Sequence, residues 1–129
     1  MNPIATAPFV DHVGIHHTDG SGESASAEVT LSPHLLNRSG TAHGGLIATL
    51  LDTTMGRVAL LACGGEGRIA SVEMKVTFVN PGRGTLRGSA WCSHHDERVF
   101  CEGEVRDETG LLVARGSASF KHRPPARDA

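Results

Sequence analysis

The chain has 129 residues, 39% of them hydrophobic, with 12 Lys and Arg against 14 Asp and Glu and a formal net charge of −2. That length supports one domain with a modest core. The balanced charge, with no basic block, argues against a nucleic-acid or anionic-membrane binder. Cys63, Cys92 and Cys101 are odd in number and lack CxxC spacing, which supports neither a disulfide framework nor a zinc knuckle and suits a reducing cytoplasm.

The N-terminus, Met-Asn-Pro-Ile-Ala-Thr-Ala-Pro, has no charged n-region or apolar h-region. The apolar runs elsewhere read as shorter than a membrane span, so a soluble, unprocessed chain is expected. Residues 1–8 and 123–129 are rich in Pro, Ala and polar residues and are expected to fray at the two ends of a single domain.

Phe9, Val10, Val13 and Ile15 form a first apolar stretch, expected as a strand, before a hairpin turn at Thr18-Asp-Gly-Ser-Gly-Glu23. A second strand follows in Ala25–Leu31, where Ala27, Val29 and Leu31 alternate with Glu28 and Thr30, and Pro33 ends it. From His43 to Cys63 the pattern becomes nearly continuous Leu, Ile, Ala, Val and Met, long enough for about five helical turns. Gly64-Gly65 supplies the stop. So apolar a helix should be wrapped by other structure.

Four segments with period-2 character come next: Ala70–Val79, Gly84–His94, Arg98–Asp107 and Leu111–Lys121. The first puts Ala70, Val72, Met74, Val76 and Phe78 on one face and Ser71, Glu73, Lys75 and Thr77 on the other. The expected order is strand, strand, helix, then four antiparallel strands: an α+β fold in which a curved sheet wraps one long helix.

The stretch Asn37-Arg-Ser-Gly-Thr-Ala-His43-Gly44-Gly45, leading into the helix, carries the chemistry. A glycine pair at a helix start leaves backbone N–H groups unpaired at the positive end of the dipole, where developing negative charge is held. From the residues alone, Gly44 serves either that purpose or merely a turn or close packing. Asp52 sits among Leu46, Ile47, Leu50, Leu51 and Met55. Such an acid is either on a solvated strip beside Thr53 and Thr54 or is functional.

The segment Asn37…Gly40…His43-Gly44-Gly45…Asp52, followed by Ser71-Val-Glu-Met-Lys-Val-Thr-Phe-Val-Asn-Pro81, resembles the hotdog-fold acyl-CoA thioesterases of the phenylacetic-acid-degradation type. The resemblance is tight over residues 37 to 81 and follows the order of elements over residues 9 to 122. It implies the hotdog fold, sheets joined edge to edge in a homodimer, often a dimer of dimers, and sites shared between protomers.

It also implies roles. The Gly44 amide would bond the thioester oxygen, and Asp52 would act as nucleophile or as general base on water, two roles that sequence does not separate. Asn37 and His43 match positions beside the carbonyl. As residues, however, Asn37 also suits a turn and His43 a helix cap. Ser71 stands where some relatives hold a hydroxyl that positions water. Gly45 adjoins the substrate, and Arg83, Arg98, Lys121 and Arg123 are candidates for the phosphates of CoA or for ordinary surface charge. Gly44 and Asp52, eight residues apart, would lie about 12 Å apart along a helix, which argues for a site completed by a second subunit.

No GxSxG elbow, GxxxxGK[ST] loop or strand-borne GxGxxG is present. The doublets His16-His17 and His94-His95 point to opposite faces of a strand, so no metal site is expected. The expected function is cytoplasmic hydrolysis of an aryl- or medium-chain acyl-CoA, with CoA as part of the substrate and no other cofactor. Alternatives are a non-catalytic acyl-CoA sensing module on the same fold and a hotdog hydratase or dehydratase.

Overall fold

The computed structural model describes residues 7–126. Its elements are α1 (Pro8–Val13), β1 (His16–Gly20), β2 (Ser24–Thr30), a 3-10 turn (Pro33–Leu35), α2 (Gly44–Ala62), β3 (Arg68–Phe78), β4 (Thr85–His95), β5 (Arg98–Asp107) and β6 (Leu112–Arg123). The six strands form one antiparallel sheet in the order β1-β2-β4-β5-β6-β3, curved around α2.

The first element differs from expectation. Residues 8–13 form a helix, with Pro8 at a helix start, where a missing N–H costs nothing. Gly14, at φ 82, closes it in the left-handed region. The first strand therefore begins at His16 and takes in Thr18, Asp19 and Gly20, leaving only residues 21–23 as the turn. Thr18 and Asp19 are drawn into the strand by Ser26 of β2, whose hydroxyl lies 2.7 Å from Thr18 Oγ1 and accepts from the Asp19 amide at 3.3 Å. At the other end β6 runs through Arg123, so the strand continues into the segment expected to fray. Residues 1–6 and 127–129 lie outside the described structure.

The core is the face of α2 formed by Leu46, Ile47, Leu50, Leu51, Thr54, Met55, Val58 and Ala59, all buried. It packs on inward residues of β2, β4, β5 and β6, among them Val29, Leu86, Val105 and Phe120. Ala25, Ala90, Gly103, Gly116 and Val76 are in register across five strands, a row with little side-chain volume beneath the helix. A Cβ on Gly116 would come within 3.1 Å of Leu51 Cδ1, and one on Gly88 within 2.8 Å of Thr54 Oγ1. The glycines thus let α2 settle into the sheet.

By length and composition α2 would pass for a membrane span, against the expectation that no run was long enough. It fills the centre of the domain because the sheet covers its apolar face. The opposite stripe, Ala48, Thr49, Asp52, Thr53, Gly56 and Arg57, is half-exposed. The three thiols gather at the C-terminal end of α2: Cys63 is its C-cap, and Cys92 and Cys101 are register partners on β4 and β5. All three are free, and burial pushes each thiol up from its ordinary value, Cys101 furthest.

Candidate active site

The loop from Asn37 to His43 delivers the chain to the start of α2. Asn37 Oδ1 accepts from the amides of Ser39 and Thr41 at 2.9 and 3.1 Å, and its Nδ2 donates to Thr41 Oγ1 at 3.0 Å. Its side chain is thus occupied in folding its own loop, the turn role that an Asx residue fills by geometry. The loop ends on His43, in extended conformation (φ −61, ψ 138), whose Nδ1 accepts from Gly45 N–H at 2.8 Å. This cap puts the lone pair on Nδ1 and the ring proton on Nε2.

The amides around the helix start can be followed one by one. Ala42 N–H donates to Gly82 O, His43 N–H to Leu35 O, Gly45 N–H to the His43 ring, and Leu46 and Ile47 N–H to His43 O. Gly44 N–H alone in this series has no partner among the described residues. The two glycines, alike in sequence, therefore differ. A Cβ on Gly45 would lie 3.0 Å from His43 Nδ1, so that glycine makes room for the capping ring; it was expected at the substrate. A Cβ on Gly44 would meet Phe78 Cζ at 3.4 Å, an ordinary contact, and Gly44 is not among the positive-φ residues. Neither packing nor turn geometry within this chain demands glycine at 44.

The free amide opens onto a groove of about 400 Å³ lined by Asn37, Thr41, Gly44, Ile47, Phe78, Val79, Asn80 and Pro81. Asn37 and Thr41 bond each other there, and Asn80 Nδ2 donates to Leu112 O at 2.8 Å. The remaining walls are apolar. Phe78, Val79 and Asn80 are wall residues the sequence pattern did not single out; Phe78, placed by alternation on one face with Ala70, Val72, Met74 and Val76, is 56% exposed.

Asp52 lies on the half-exposed stripe of α2, beside Thr53, and accepts from Ser71 Oγ at 2.8 Å. Strict alternation put Ser71 on the face away from Met74 and Phe78. A bulge between Ser71 and Glu73 reverses this: Ser71 pairs with Phe120, which faces the helix, whereas Glu73 pairs with the outward Ser119. The extra residue, Val72, turns the hydroxyl toward α2. Asp52 and Gly44 sit on one unbroken helix, about 12 Å apart by its rise, too far apart to reach one carbonyl within one chain.

Arg83 lies in the turn before β4, and Arg98 pairs with His95 at the other end of that strand, about 30 Å away at strand rise. The two do not converge. Lys121 and Arg123 lie with Arg98 at the far end. Among the described residues no group of three His, Cys, Asp or Glu side chains is placed to hold a metal. The side chains of His94 and His95 lie outside the described structure.

The order of elements and the loop-to-helix junction have counterparts among known proteins. Rv1847 of Mycobacterium tuberculosis H37Rv is 28% identical over 122 residues, covering 91% of this chain and 87% of the relative. The conserved protein PA5202 of Pseudomonas aeruginosa superposes with a TM-score of 0.87 at 26% identity, over 94% of this chain and 100% of that one. The PaaI protein from the phenylacetic acid degradation operon of Escherichia coli shares the fold at a TM-score of 0.80, with 20% identity over 93% of this chain and 87% of that one. The family model of the thioesterase superfamily matches residues 39–114, from the loop before the unpaired Gly44 amide to the middle of the sheet. The chain belongs to the thioesterase superfamily, a family of hydrolases with the hotdog fold.

Proposed function

We propose that the chain is an acyl-CoA thioesterase that hydrolyses an aryl- or medium-chain acyl thioester to the free acid and CoA. The observation that carries this reading is the Gly44 N–H, free at a helix start and opening onto an apolar groove. A thioester oxygen seated there gains a hydrogen bond that strengthens as the carbonyl carbon becomes tetrahedral. Asp52, oriented by Ser71, either takes a proton from the attacking water or attacks the carbon itself. In both routes the C–S bond breaks and the CoA sulfur leaves, taking up a proton; direct attack leaves a mixed anhydride on Asp52, which a water then cleaves to release the acid and restore the carboxylate. His43 is committed to its cap through Nδ1, which leaves no imidazole lone pair for the proton transfer at the acyl α-carbon that a hydratase needs.

The partner for each half-site is a second copy. β3 is an edge strand whose Val72, Met74 and Phe78 are 50%, 36% and 56% exposed; an apolar edge of this kind invites pairing with another strand. Joining two copies there would bring Asp52 of one toward Gly44 of the other, and two such dimers could associate further. Three free thiols fit a reducing cytoplasm.

The test is CoA release, followed with a thiol reagent across a panel of acyl-CoAs, in the wild type, Asp52→Asn and Gly44→Pro. Proline is accepted at the first helical position and lacks only the N–H; the residue before it is already extended. Each variant is expected to stay folded and lose roughly 10²- to 10³-fold in kcat. No wild-type turnover, or turnover untouched by Asp52→Asn, sinks the reading.

A further inference from the structure

Along the 19 residues of α2 only two side chains are charged, Asp52 and Arg57. The acid has a partner in Ser71. On the sheet, Arg87 lies 3.1 Å from Glu28 and 3.2 Å from Asp19, and Arg106 lies 2.9 Å from Glu104. Arg57 is different. It is half-buried, yet among the described residues it forms no hydrogen bond or ion pair. A guanidinium withdrawn this far from water is ordinarily matched by an anion. Asp52 cannot serve, being five residues away and about 140° round the helix.

The fold nevertheless makes a place for this cation. His17 pairs with Ala27 and Gly20 with Ala25, both buried residues of β2, and the register shift between the two pairs turns both toward α2. Asp19, between them, is held on the outer face by Arg87. A Cβ on Gly20 would come 2.9 Å from Arg57 Nε and 3.0 Å from Leu61 Cδ1. Gly20 is not among the positive-φ residues, so its backbone does not require glycine; the room it leaves is filled by the guanidinium. Beside Arg57 stands His17, whose pKa is held below the ordinary value by loss of solvent and then by the charge of Arg57. Near neutral pH that ring is uncharged and offers an N–H, and the charge of Arg57 stays unmatched.

We propose that Arg57, with His17 beside it, binds a carboxylate at the far end of the acyl chain, so that the preferred substrate is the monothioester of a medium-chain dicarboxylic acid. This rests on the thioesterase reading for bringing the carbonyl to Asp52. Arg57 stands about 7.5 Å beyond Asp52 along a helix 10 to 12 Å wide, which makes the path between them roughly 12 Å. An extended chain gains about 1.2 Å per bond, so roughly eight to ten carbons span it. On the same stripe a Cβ at Gly56 would meet Phe120 at 3.5 Å, an ordinary contact; glycine weakens a helix interior, and here it leaves the way open. One guanidinium balances one carboxylate, and its planar fork meets both oxygens. An uncharged chain end gains nothing there. β1 and β3 are opposite edges of the sheet, so the recess lies away from the edge where two copies would join.

The test compares the CoA thioester of decanoic acid with the CoA monothioester of decanedioic acid, equal in length and differing in the terminal carboxylate. In the wild type kcat/KM should favour the dicarboxylic ester by roughly tenfold or more, as expected for charge-assisted contacts. In Arg57→Gln that ratio should fall by about the same factor, with the melting temperature showing that the variant is folded. A ratio untouched by Arg57→Gln overturns the proposal. Wild-type indifference to the terminal carboxylate overturns it too, whatever the variant does. Binding of the same two esters to Asp52→Asn, measured by calorimetry, separates this proposal from the hydrolysis reading. If the wild type cleaves neither ester but the dicarboxylic one binds roughly tenfold tighter, and adding Arg57→Gln removes the difference, hydrolysis fails and the recess stands. If the two esters bind alike, cleaved or not, the recess is wrong.

Discussion

His43 turns its Nδ1 lone pair to the amide of Gly45, and the first turn of α2 is left with one amide, that of Gly44, facing the groove. The ring thus contributes to the site by occupying the neighbouring donor. Removing a helix cap costs about 1 kcal/mol, so His43→Ala should lower the melting temperature by roughly 3 to 5 °C in a domain of this size and reduce turnover along with it. Asn accepts from a helix amide as readily as imidazole does, and His43→Asn should recover both quantities. A variant that regains stability but not turnover would show that the imidazole acts on the substrate directly. The motif His43-Gly44-Gly45 located this junction from the sequence alone, but it could not rank the two glycines. Their difference depends on where the His43 ring lies, a fact of side-chain rotamer rather than of spacing. Asn37 was legible in the same partial way: its turn role follows from residue type, whereas its place on the groove wall needs the return of Val79, Asn80 and Pro81 from the end of β3.

At the scale of elements, α2 was found to within a residue at each end because its caps are encoded locally, His43 before it and Gly64-Gly65, at φ 93 and 78, after it. The strands β3 to β6 were found by their alternation. What alternation could not show was the bulge at Val72, which breaks the pattern it is read from and moves Ser71 to the helix side. Nor could it show that β3 is an edge, since edge and interior strands share one period. The opposite edge, β1, is tied down differently. His17 sits against Arg57 of α2, and its pKa lies below the ordinary imidazole value of 6.5, first through loss of solvent around the ring and then through the charges of Arg57 and His16. With the folded value below the unfolded one, the unfolded chain binds more protons between the two, so stability is full above pH 6.5 and declines as the pH falls through that window. Melting temperatures between pH 7.5 and 5 should therefore drop less for His17→Asn than for the wild type. Equal slopes would mean that the ring titrates as it does in the unfolded chain.

The whole molecule places the two groups of the proposed site on one rigid rod. Gly44 opens α2, Asp52 follows two turns later, and no bend intervenes that could bring them to one carbonyl. A twofold pairing of β3 edges would set the rods side by side in opposite directions, so that each Gly44 meets the other copy's Asp52 in two equivalent places. This arrangement has a consequence that no single-chain site shares. Asp52→Asn keeps a working amide half, and Gly44→Pro keeps a working acid half. A mixed dimer of the two has one site with both functional halves and one with neither. If subunits combine at random, half of the dimers are mixed and half of their sites are intact, giving about a quarter of wild-type turnover from two variants that are each nearly inactive. Refolding the two together, or producing them in one cell, provides the measurement, with each variant refolded alone as the baseline. Were both groups to act within one chain, no mixture would exceed the sum of its parts.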